Sequence, residues 1–464
     1  MKRMTSIAAP DRNTARAVIV VATWSSFLTP FLASAVTVAL PSIARDLSLH
    51  AILLSWVTFS YLLAAAVFLV PMGRVADIFG TKRVLRGGIA VFIFSSLGAG
   101  FAQTASWLII FRVIQGIGSA MIYSTAIALL ITVFPARERG RILGINVAAT
   151  YLGLSLGPFL GGILTQYLGW RVVFFSAGAF SLVPLFYLLA RLPGEWTAAA
   201  REPFDLQGSL VYGLALVSMM IGFSRLPGFI GTALTLGGLT GLYGFVRIEK
   251  RMAYPVLNVA LFSRNRVFAF SNLAALIHYS ATFAIPFLLS LYLQNLKGLD
   301  PLVTGAILLA QPLMQALFSP MVGRMADRFE PQTLASLGMA ITTSGLVFFA
   351  FLTINTSLVL VAANLALIGF GFALFSSPNT YAVMGAVEKK NYGVASATLA
   401  TMRLTGQMFS MGMIMLLFAV FLGKVRITPE KAQLYIGTMG IAFALFAVFC
   451  LTGIFASLSR GKIR

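Results

Sequence analysis

The sequence predicts a membrane protein built entirely of helices, about fourteen of which cross the bilayer. Of its 464 residues, 59% are hydrophobic and only 10% are charged, whereas soluble domains are about 45–50% apolar and about 25% charged. Apolar stretches of about twenty residues, the length that spans a bilayer as a helix, recur along the chain. These two observations exclude a water-soluble protein.

The apolar stretches, bounded by charged residues or by Pro and Gly, give the predicted spans in order. The first follows a basic N-terminal stretch, is too long for the apolar part of a signal peptide and lacks a small-residue cleavage site, so we expect it to remain as a spanning helix. The predicted spans are 17-40, 51-72, 84-103, 106-134, 142-167, 171-191, 206-224, 227-246, 267-294, 302-322, 333-353, 357-384, 395-423 and 432-457.

Basic residues concentrate in alternate loops, which is the pattern of cytoplasmic loops. An even number of spans places both termini on one side, and we predict that this side is the cytoplasm, with the protein in the plasma or inner membrane. The formal charge of +21 arises from these short clusters, so no nucleic-acid partner is expected. The predicted cytoplasmic clusters are Arg74, Lys82, Arg83 and Arg86; Arg137, Arg139 and Arg141; Arg191 and Arg201; Arg247, Lys250, Arg251, Arg264 and Arg266; Arg324 and Arg328; Lys389 and Lys390; and Arg460, Lys462 and Arg464.

The chain offers few groups for metal, redox or catalytic chemistry. Cys450 is the only cysteine and lies within an apolar run, and there are only two histidines. We therefore expect no disulfide, no metal site and no cofactor. An enzyme would need clustered His, Asp or Glu, and a channel would need a charged ring or a filter-like segment, so neither class is expected.

A segment recurs about half the chain apart, as it does in many secondary transporters. Gly73-Arg-Val-Ala-Asp77 follows the second span and Gly323-Arg-Met-Ala-Asp327 follows the tenth, and Pro30-Phe-Leu is echoed by Pro286-Phe-Leu. The repeat predicts two parallel six-helix halves with an inserted helix pair. The predicted divisions are an N-terminal tail at 1-16, the first half at 17-192, the inserted pair at 193-248, a cytoplasmic linker at 249-266, the second half at 267-457 and a C-terminal tail at 458-464.

Several of these motifs resemble those of a known family. Gly73 to Arg83 looks like the loop signature of the major facilitator superfamily, and Arg112-Val-Ile-Gln-Gly-Ile-Gly118 looks like its fourth-helix signature. Gly153 to Gly162 resembles the fifth-helix antiporter signature, and Val38-Ala-Leu-Pro41 and Gly169-Trp-Arg171 match further landmarks. With the span count, the resemblance covers the whole chain and implies the fourteen-helix drug:proton antiporter branch, the multidrug resistance exporters.

The chain departs from the family pattern at two places. Family members usually carry an acidic residue in the first helix, where this chain has Phe31-Leu-Ala-Ser34, and the second loop motif has Glu330-Pro-Gln332 in place of Gly and basic residues. The first departure puts the usual proton carrier and the preference for cationic drugs in doubt.

The repeated loops and the fifth helix are the predicted gating elements. Asp77, Lys82 and Arg83, with Asp327 and Arg328 in the second copy, could pair across helix ends and hold the halves closed on the cytoplasmic side. The alternative is a solvated loop that only sets topology. Gly153, Gly157, Pro158 and Gly161 place small residues on one helix face and so predict close packing, and the resemblance adds a gating role.

Two arginines at membrane depth are candidate cavity residues, because a guanidinium there costs at least about 2.5–3.5 kcal/mol and needs a partner or a wet cavity. Arg112 shares a helix face with Gln115, and Arg403 shares one with Gln407. For both, the alternative is that the side chain reaches the headgroups. Tyr61 and Gln311 are further candidates for the cavity wall.

His278, beside Tyr279 in the ninth span, is the candidate proton carrier. All thirteen acidic residues fall in loops, tails or span ends, whereas a histidine changes charge near neutral pH. The alternative is a neutral histidine bonded to a Ser or a carbonyl near Ser280.

We therefore predict a secondary transporter of hydrophobic or amphipathic small molecules, working by alternating access as a monomer in the bilayer. Proton coupling and a role in multidrug efflux and antibiotic resistance are implied by the resemblance. The alternative is a facilitator or uptake carrier for an organic anion, suggested by Arg112, Arg403 and the missing membrane-depth carboxylates.

Overall fold

The computed structural model is an all-helical bundle, and it confirms the predicted fold class. It describes residues 12–134, 136–192, 194–197, 202–252, 256, 262–263, 265–326, 328–388, 392–423 and 427–461. In these ranges fourteen helical segments are long and apolar enough to cross a membrane. The helices are α1 Arg12–Asp46, α2 Ala51–Phe79, α3 Thr81–Gly100, α4 Ala105–Val133, α5 Ala136–Leu168, α6 Trp170–Arg191, α7 Leu206–Arg225, α8 Phe229–Glu249, α9 Arg266–Thr282, α10 Ile285–Leu291, α11 Pro301–Leu308, α12 Ala310–Met325, α13 Pro331–Ala350, α14 Leu358–Gly385, α15 Tyr392–Leu417 and α16 Ala432–Ser459.

The ninth and tenth spans are each broken, so sixteen helices form fourteen spans. Each break falls four residues before a proline, because proline has no N–H to donate to the carbonyl four residues earlier. The ninth span stops at Thr282 before Pro286, and the tenth stops at Leu308 before Pro312. The ninth span then continues through α10 into a π-helical turn, Tyr292–Leu296.

The two halves pack their helices in the same order. In the first half α1 packs on α5, α2 on α4, and α3 on α4 and α6. In the second half α9 packs on α15, α12 on α14, and α13 on α14 and α16. Glycines permit equivalent close approaches, since a Cβ at Gly116 would collide with the Tyr61 carbonyl oxygen and one at Gly369 would collide with that of Gln311.

The inserted pair, α7 and α8, packs beside the boundary between the halves. The Tyr212 hydroxyl of α7 donates to the Ala66 carbonyl of α2 at 3.2 Å. Nearer its other end, the ring of Phe223 lies 6.3 Å from that of Phe409 on α15. Helix α7 therefore contacts both halves. The predicted division points themselves remain predictions, and much of the predicted linker lies outside the described residues.

The halves meet closely at one end of the bundle. We call the end where α2 finishes at Phe79 the basic end, and the end where α1 finishes at Asp46 the far end. Near the far end, Ser290 Oγ donates to the Thr37 carbonyl at 2.8 Å and Gln294 Nε2 donates to the Val38 carbonyl at 2.8 Å. We refer to the boundary between the halves as the seam.

Glycines bring α5 and α11 together at the same level of the seam. A Cβ at Gly162 would lie 2.6 Å from the Pro301 carbonyl oxygen, and one at Gly305 would collide with the Pro158 carbonyl oxygen. These approaches are backbone to backbone, so neither a side chain nor a water molecule fits between α5 and α11 at these points. The far end of the seam is therefore sealed here.

Candidate functional site

Arg112 lies inside the first half, where protein atoms surround its guanidinium. The side chain is 1% exposed; its Nε donates to the Val57 carbonyl at 2.9 Å and its Nη1 donates to Gln115 Oε1 at 2.6 Å. The guanidinium also stacks 4.3 Å from the centre of the Tyr61 ring, and Gln115 passes the network on to Ser96 Oγ at 2.7 Å. Arg112, Gln115 and Tyr61 are thus one connected group, and the alternative of a side chain that reaches the headgroups is wrong for Arg112.

Arg403 lies at the seam and is held less completely. Its Nη2 donates to Thr380 Oγ1 of α14 at 2.8 Å, and its guanidinium carbon is 5.7 Å from the centre of the Tyr279 ring of α9. Its Nε is buried and has no hydrogen-bond partner in the described part of the chain. The side chain as a whole is half-buried.

A hydrogen bond crosses between the halves beside Arg403. The Tyr151 hydroxyl of α5 is 3.0 Å from Ser376 Oγ of α14. Tyr151 and Tyr279 lie within electrostatic range of the Arg403 guanidinium. We call Tyr151, Tyr279, Ser376, Thr380 and Arg403 the seam cluster.

Sequence reasoning named two members of the seam cluster, Arg403 and Tyr279, and missed the other three. Tyr151 lies two residues before Gly153 in the fifth-helix motif, and its position beside that motif was the available signal. Ser376 and Thr380 are ordinary helix residues in sequence, so nothing marked them.

Among the described residues, no hydrogen bond or ring contact joins the other two predicted cavity residues, Gln407 and Gln311, to the seam cluster. Gln407 is half-buried one turn beyond Arg403. Gln311, on α12, is buried, and its Oε1 has no partner among the described residues. Their roles in the cavity stay predictions.

His278 is enclosed within the second half, and its ring centre lies 6.2 Å from that of Tyr279. Its ring is 0% exposed and lies 4.1 Å and 4.5 Å, centre to centre, from the rings of Phe375 and Phe372 on α14. Nδ1 is 3.9 Å from the Cys450 sulfur of α16, and Nε2 has no hydrogen-bond partner in the described ranges. The Ser280 hydroxyl, named in the alternative, donates to the Leu276 carbonyl, and the choice between a proton carrier and a neutral buried histidine stays a prediction.

The structure places no carboxylate deep in the bundle within the described ranges. Every described Asp or Glu lies in a loop or within a turn of a helix end. At the far end, Asp46 accepts from Arg171 Nη1 at 2.6 Å and from the Trp170 indole at 3.1 Å. These two hydrogen bonds give Trp170 and Arg171, at the start of α6, a shared partner in Asp46.

The loop between α2 and α3 is tied to the segment that follows α6. Glu195 Oε1 accepts from the Lys82 amide at 2.7 Å and its Oε2 pairs with Arg83 Nε at 3.6 Å, and the Lys82 ammonium donates to the Leu192 carbonyl. Asp77 lies within electrostatic range of Arg74 and Glu202, which form an ion pair at 2.5 Å.

These partners all precede the inserted pair, so a latch between the halves stays a prediction. In the second copy of the motif, Asp327 lies outside the described residues and Arg328 is exposed.

The α5 motif packs on α1 through its small residues. A Cβ at Gly153 would collide with the Phe27 carbonyl oxygen, one at Gly157 would lie 2.7 Å from that of Phe31, and one at Gly161 would lie 2.7 Å from the Ala35 Cα. Pro158 faces α11 instead, as described above. The geometry therefore accounts for these residues by packing, and their role in gating stays a prediction.

A buried arginine at the basic end joins three helices of the second half. Arg460 Nη1 donates to Ser271 Oγ of α9 and to Asn379 Oδ1 of α14, both at 3.1 Å. Burial lowers the pKa of the Arg460 guanidinium to about 10, so it is still protonated at neutral pH. Sequence reasoning placed this residue in a solvated tail and missed the contact.

Comparison with known proteins gives a consistent set of relatives. A sequence model of the Major Facilitator Superfamily matches residues 22–411 and 271–460. The cephamycin export protein CmcT of Amycolatopsis lactamdurans is 32% identical over 97% of this chain and 94% of its own length. The multidrug resistance protein Stp of Mycobacterium tuberculosis is 30% identical over 86% and 76%, and the riboflavin transporter RibZ of Clostridioides difficile is 27% identical over 81% and 82%.

Solved structures share the fold at low identity. A bacterial homologue of the human lysosomal transporter Spinster superimposes with a TM-score of 0.70 at 15% identity, covering 97% of this chain and 98% of that one. The peptide transporter POT superimposes with a TM-score of 0.69 at 13% identity, covering 94% and 93%. In the described part of this chain, no three His, Cys, Asp or Glu side chains group as metal ligands would.

Proposed function

The chain belongs to the major facilitator superfamily of membrane transporters, and from that premise we propose that it exports hydrophobic or amphipathic small molecules from the cell. Export would proceed by alternating access between the two six-helix halves, with protons as the coupling ion. Two relatives at 30–32% identity carry names that refer to export or multidrug resistance. The similarity covers most of this chain and of each relative, which supports the same direction of transport for this protein.

The observation that carries this proposal is the arrangement of the seam. The far end is sealed by backbone-close contacts at Gly162 and Gly305, and the seam cluster lies on the basic side of that seal. A carrier that alternates must close one side while its binding groups face the other. With the basic end in the cytoplasm, as the positive-inside rule indicates, this conformation would receive a substrate from the cytoplasm.

Proton coupling rests on the family resemblance and on His278. Its Nε2 is a nitrogen without a partner among the described residues, and histidine titrates closest to neutral pH. Because the ring is sealed from solvent in this conformation, a proton would have to reach it when α14 or α16 moves. Coupling would then follow the conformational cycle.

The test uses purified protein in proteoliposomes with an imposed pH gradient and a panel of cationic, neutral and anionic dyes. We expect dye movement against its gradient when protons flow the other way, and none in protein-free vesicles. Flux that only runs down the dye gradient and ignores pH would contradict export driven by protons.

A second candidate is a facilitator or uptake carrier for an organic anion. It is favoured by the guanidinium of Arg403 at the seam. One relative, the riboflavin transporter RibZ at 27% identity, also carries a name that does not refer to export or drug resistance. The same vesicles separate the two, since an anion facilitator would equilibrate anionic dye alone, without any pH gradient.

A further inference from the structure

The two arginines at membrane depth, Arg112 and Arg403, differ in how many of their N–H groups donate hydrogen bonds to the protein. Arg112 is 1% exposed and donates from two nitrogens, to a carbonyl and to an amide oxygen, with an aromatic ring over its face. Arg403 is half-buried and donates from one nitrogen only, to a threonine hydroxyl. Arg112 therefore has little capacity left for a ligand, whereas two nitrogens of Arg403, Nε and Nη1, have no hydrogen-bond partner among the described residues.

Among the residues that the structure describes, no negative charge lies beside Arg403 either. Its neighbours in the seam cluster are hydroxyl groups and rings, and the described residues place no carboxylate within ion-pair distance of it. Burying a charge without a counter-charge costs folding free energy. Removing the partner of a buried ion is therefore among the most destabilising changes in proteins. A chain that keeps such an arginine at its seam is suited to a ligand that brings the missing charge.

We propose that Arg403 binds an anionic group, such as a carboxylate, on the transported molecule. The substrate class is then an amphipathic acid, with its acid group on the guanidinium and a flat apolar part beside the Tyr279 ring. This inference rests on the proposed function in taking the seam as the binding site. Arg403 and Tyr279 belong to the second half and Tyr151 to the first, so a bound acid would lie where both halves can reach it.

The geometry also assigns donors to the acid. Nη2 of Arg403 donates to Thr380, while Nε is buried and has no described partner, so an acid that enters the seam would find donors on this guanidinium that no described protein group occupies. The Tyr151 hydroxyl, now 3.0 Å from Ser376 Oγ, is the nearest donor from the other half. Lysine at position 403 would keep the charge but lose the forked donor geometry.

The experiment compares two fluorescent probes that differ only in charge. Dansylglycine carries a carboxylate and dansylglycinamide a neutral amide, and both are titrated into the purified full-length protein in nanodiscs. We expect the acid to bind about tenfold or more tightly than the amide, since hydrogen bonds to charged groups contribute about 1.5–3 kcal/mol. Arg403→Gln should bring the two affinities within about twofold of each other, and Arg403→Lys should give an intermediate preference.

The matched control is Arg225→Gln, which removes the same charge from an exposed position at the end of α7 and should leave the preference unchanged. Folding of each variant is checked by size-exclusion chromatography. A preference that survives in Arg403→Gln, or wild-type protein that binds the amide as tightly as the acid or binds neither, would overturn the inference.

The outcome is separable from that of the proposed function. Acid preference through Arg403 without any gradient-driven transport would refute proton-driven export and leave the anion site intact. Proton-driven transport of all dyes with no effect of Arg403→Gln would refute the anion site and leave proton-driven export intact.

Discussion

The seal at the far end can be tested by adding one methyl group at Gly305. The Cβ of alanine there would collide with the Pro158 carbonyl oxygen, and it would lie 2.9 Å from the Pro158 carbonyl carbon and 3.3 Å from the Phe159 Cα. All three atoms are backbone, so no side-chain rotation can make room. Relief requires α5 and α11 to separate, which opens the seam at its far end.

The magnitude follows from the cost of overpacking. Added methyl groups in a well-packed interior cost about 1–3 kcal/mol, and a conformation open at the far end does not bear that cost. Gly305→Ala should therefore shift the equilibrium toward the far-end-open conformation by about 5–150-fold. Transport should slow, because the conformation sealed at this end becomes rare.

The assay measures how fast a thiol in the seam reacts with a membrane-impermeant maleimide. Ser290→Cys in a Cys450→Ser background puts one thiol at a buried seam position that now donates to the Thr37 carbonyl. The reaction rate should rise with Gly305→Ala. Gly437→Ala, a helical glycine whose added Cβ would meet nothing within 4 Å, is the matched control and should not change the rate. An unchanged rate in well-folded Gly305→Ala would refute the backbone seal.

Three further outcomes are expected at the other sites. Asp77→Asn should slow turnover much more than it weakens substrate binding, because the residue lies at the loop and not in the seam cluster; a large loss of affinity with normal turnover would contradict this. Arg112→Lys should lower the unfolding free energy by about 1–3 kcal/mol, because a lysine ammonium lacks the fork that serves the Val57 carbonyl and the Gln115 amide together and leaves a buried acceptor unpaired; thermal unfolding in detergent, with Arg225→Lys as the control, measures it. His278→Gln should keep substrate binding, since the ring is enclosed within the second half, and lose pH-driven accumulation while downhill exchange continues; full accumulation would remove His278 from the coupling scheme.

The bundle could be predicted from sequence because length and hydrophobicity alone define a spanning helix. Boundaries were less well predicted: the first span was expected at 17-40, whereas α1 runs over Arg12–Asp46. The helical hydrogen bonds of α1 continue beyond the apolar residues into the polar region at each end. Charged side chains there do not interrupt backbone hydrogen bonding, so they do not mark the end of the helix. The breaks at Thr282 and Leu308 were also missed, although Pro286 and Pro312 are their cause.

The candidate site was predicted only in part, because a spanning helix is apolar on all sides and its sequence does not say which face meets the seam. His278 and Tyr279 show this. Neighbours on a helix point about 100° apart, so one ring is enclosed against Phe375 and the other faces Arg403. Sequence named both as candidates but could not tell the enclosed residue from the one at the seam.

An anionic substrate would also change what drives export. In a cell with a negative interior, moving one negative charge outward yields about 2.3 kcal/mol per 100 mV, enough for a gradient of roughly 40-fold. A carrier that holds the anion on Arg403 could use this energy without a titrating carboxylate in the membrane, and the described residues place none away from the helix ends.

We therefore expect proteoliposomes with a potassium–valinomycin potential and no pH gradient to move dansylglycine, but not dansylglycinamide, in the direction that the potential sets. Arg403→Gln should abolish this movement, whereas His278→Gln should leave it intact, because movement of the anion down the imposed potential is the downhill exchange that this variant is expected to keep. Movement that appears only when a pH gradient is added would contradict this mechanism. In that case the pH gradient would drive transport through a titrating group, and His278 would be the first candidate.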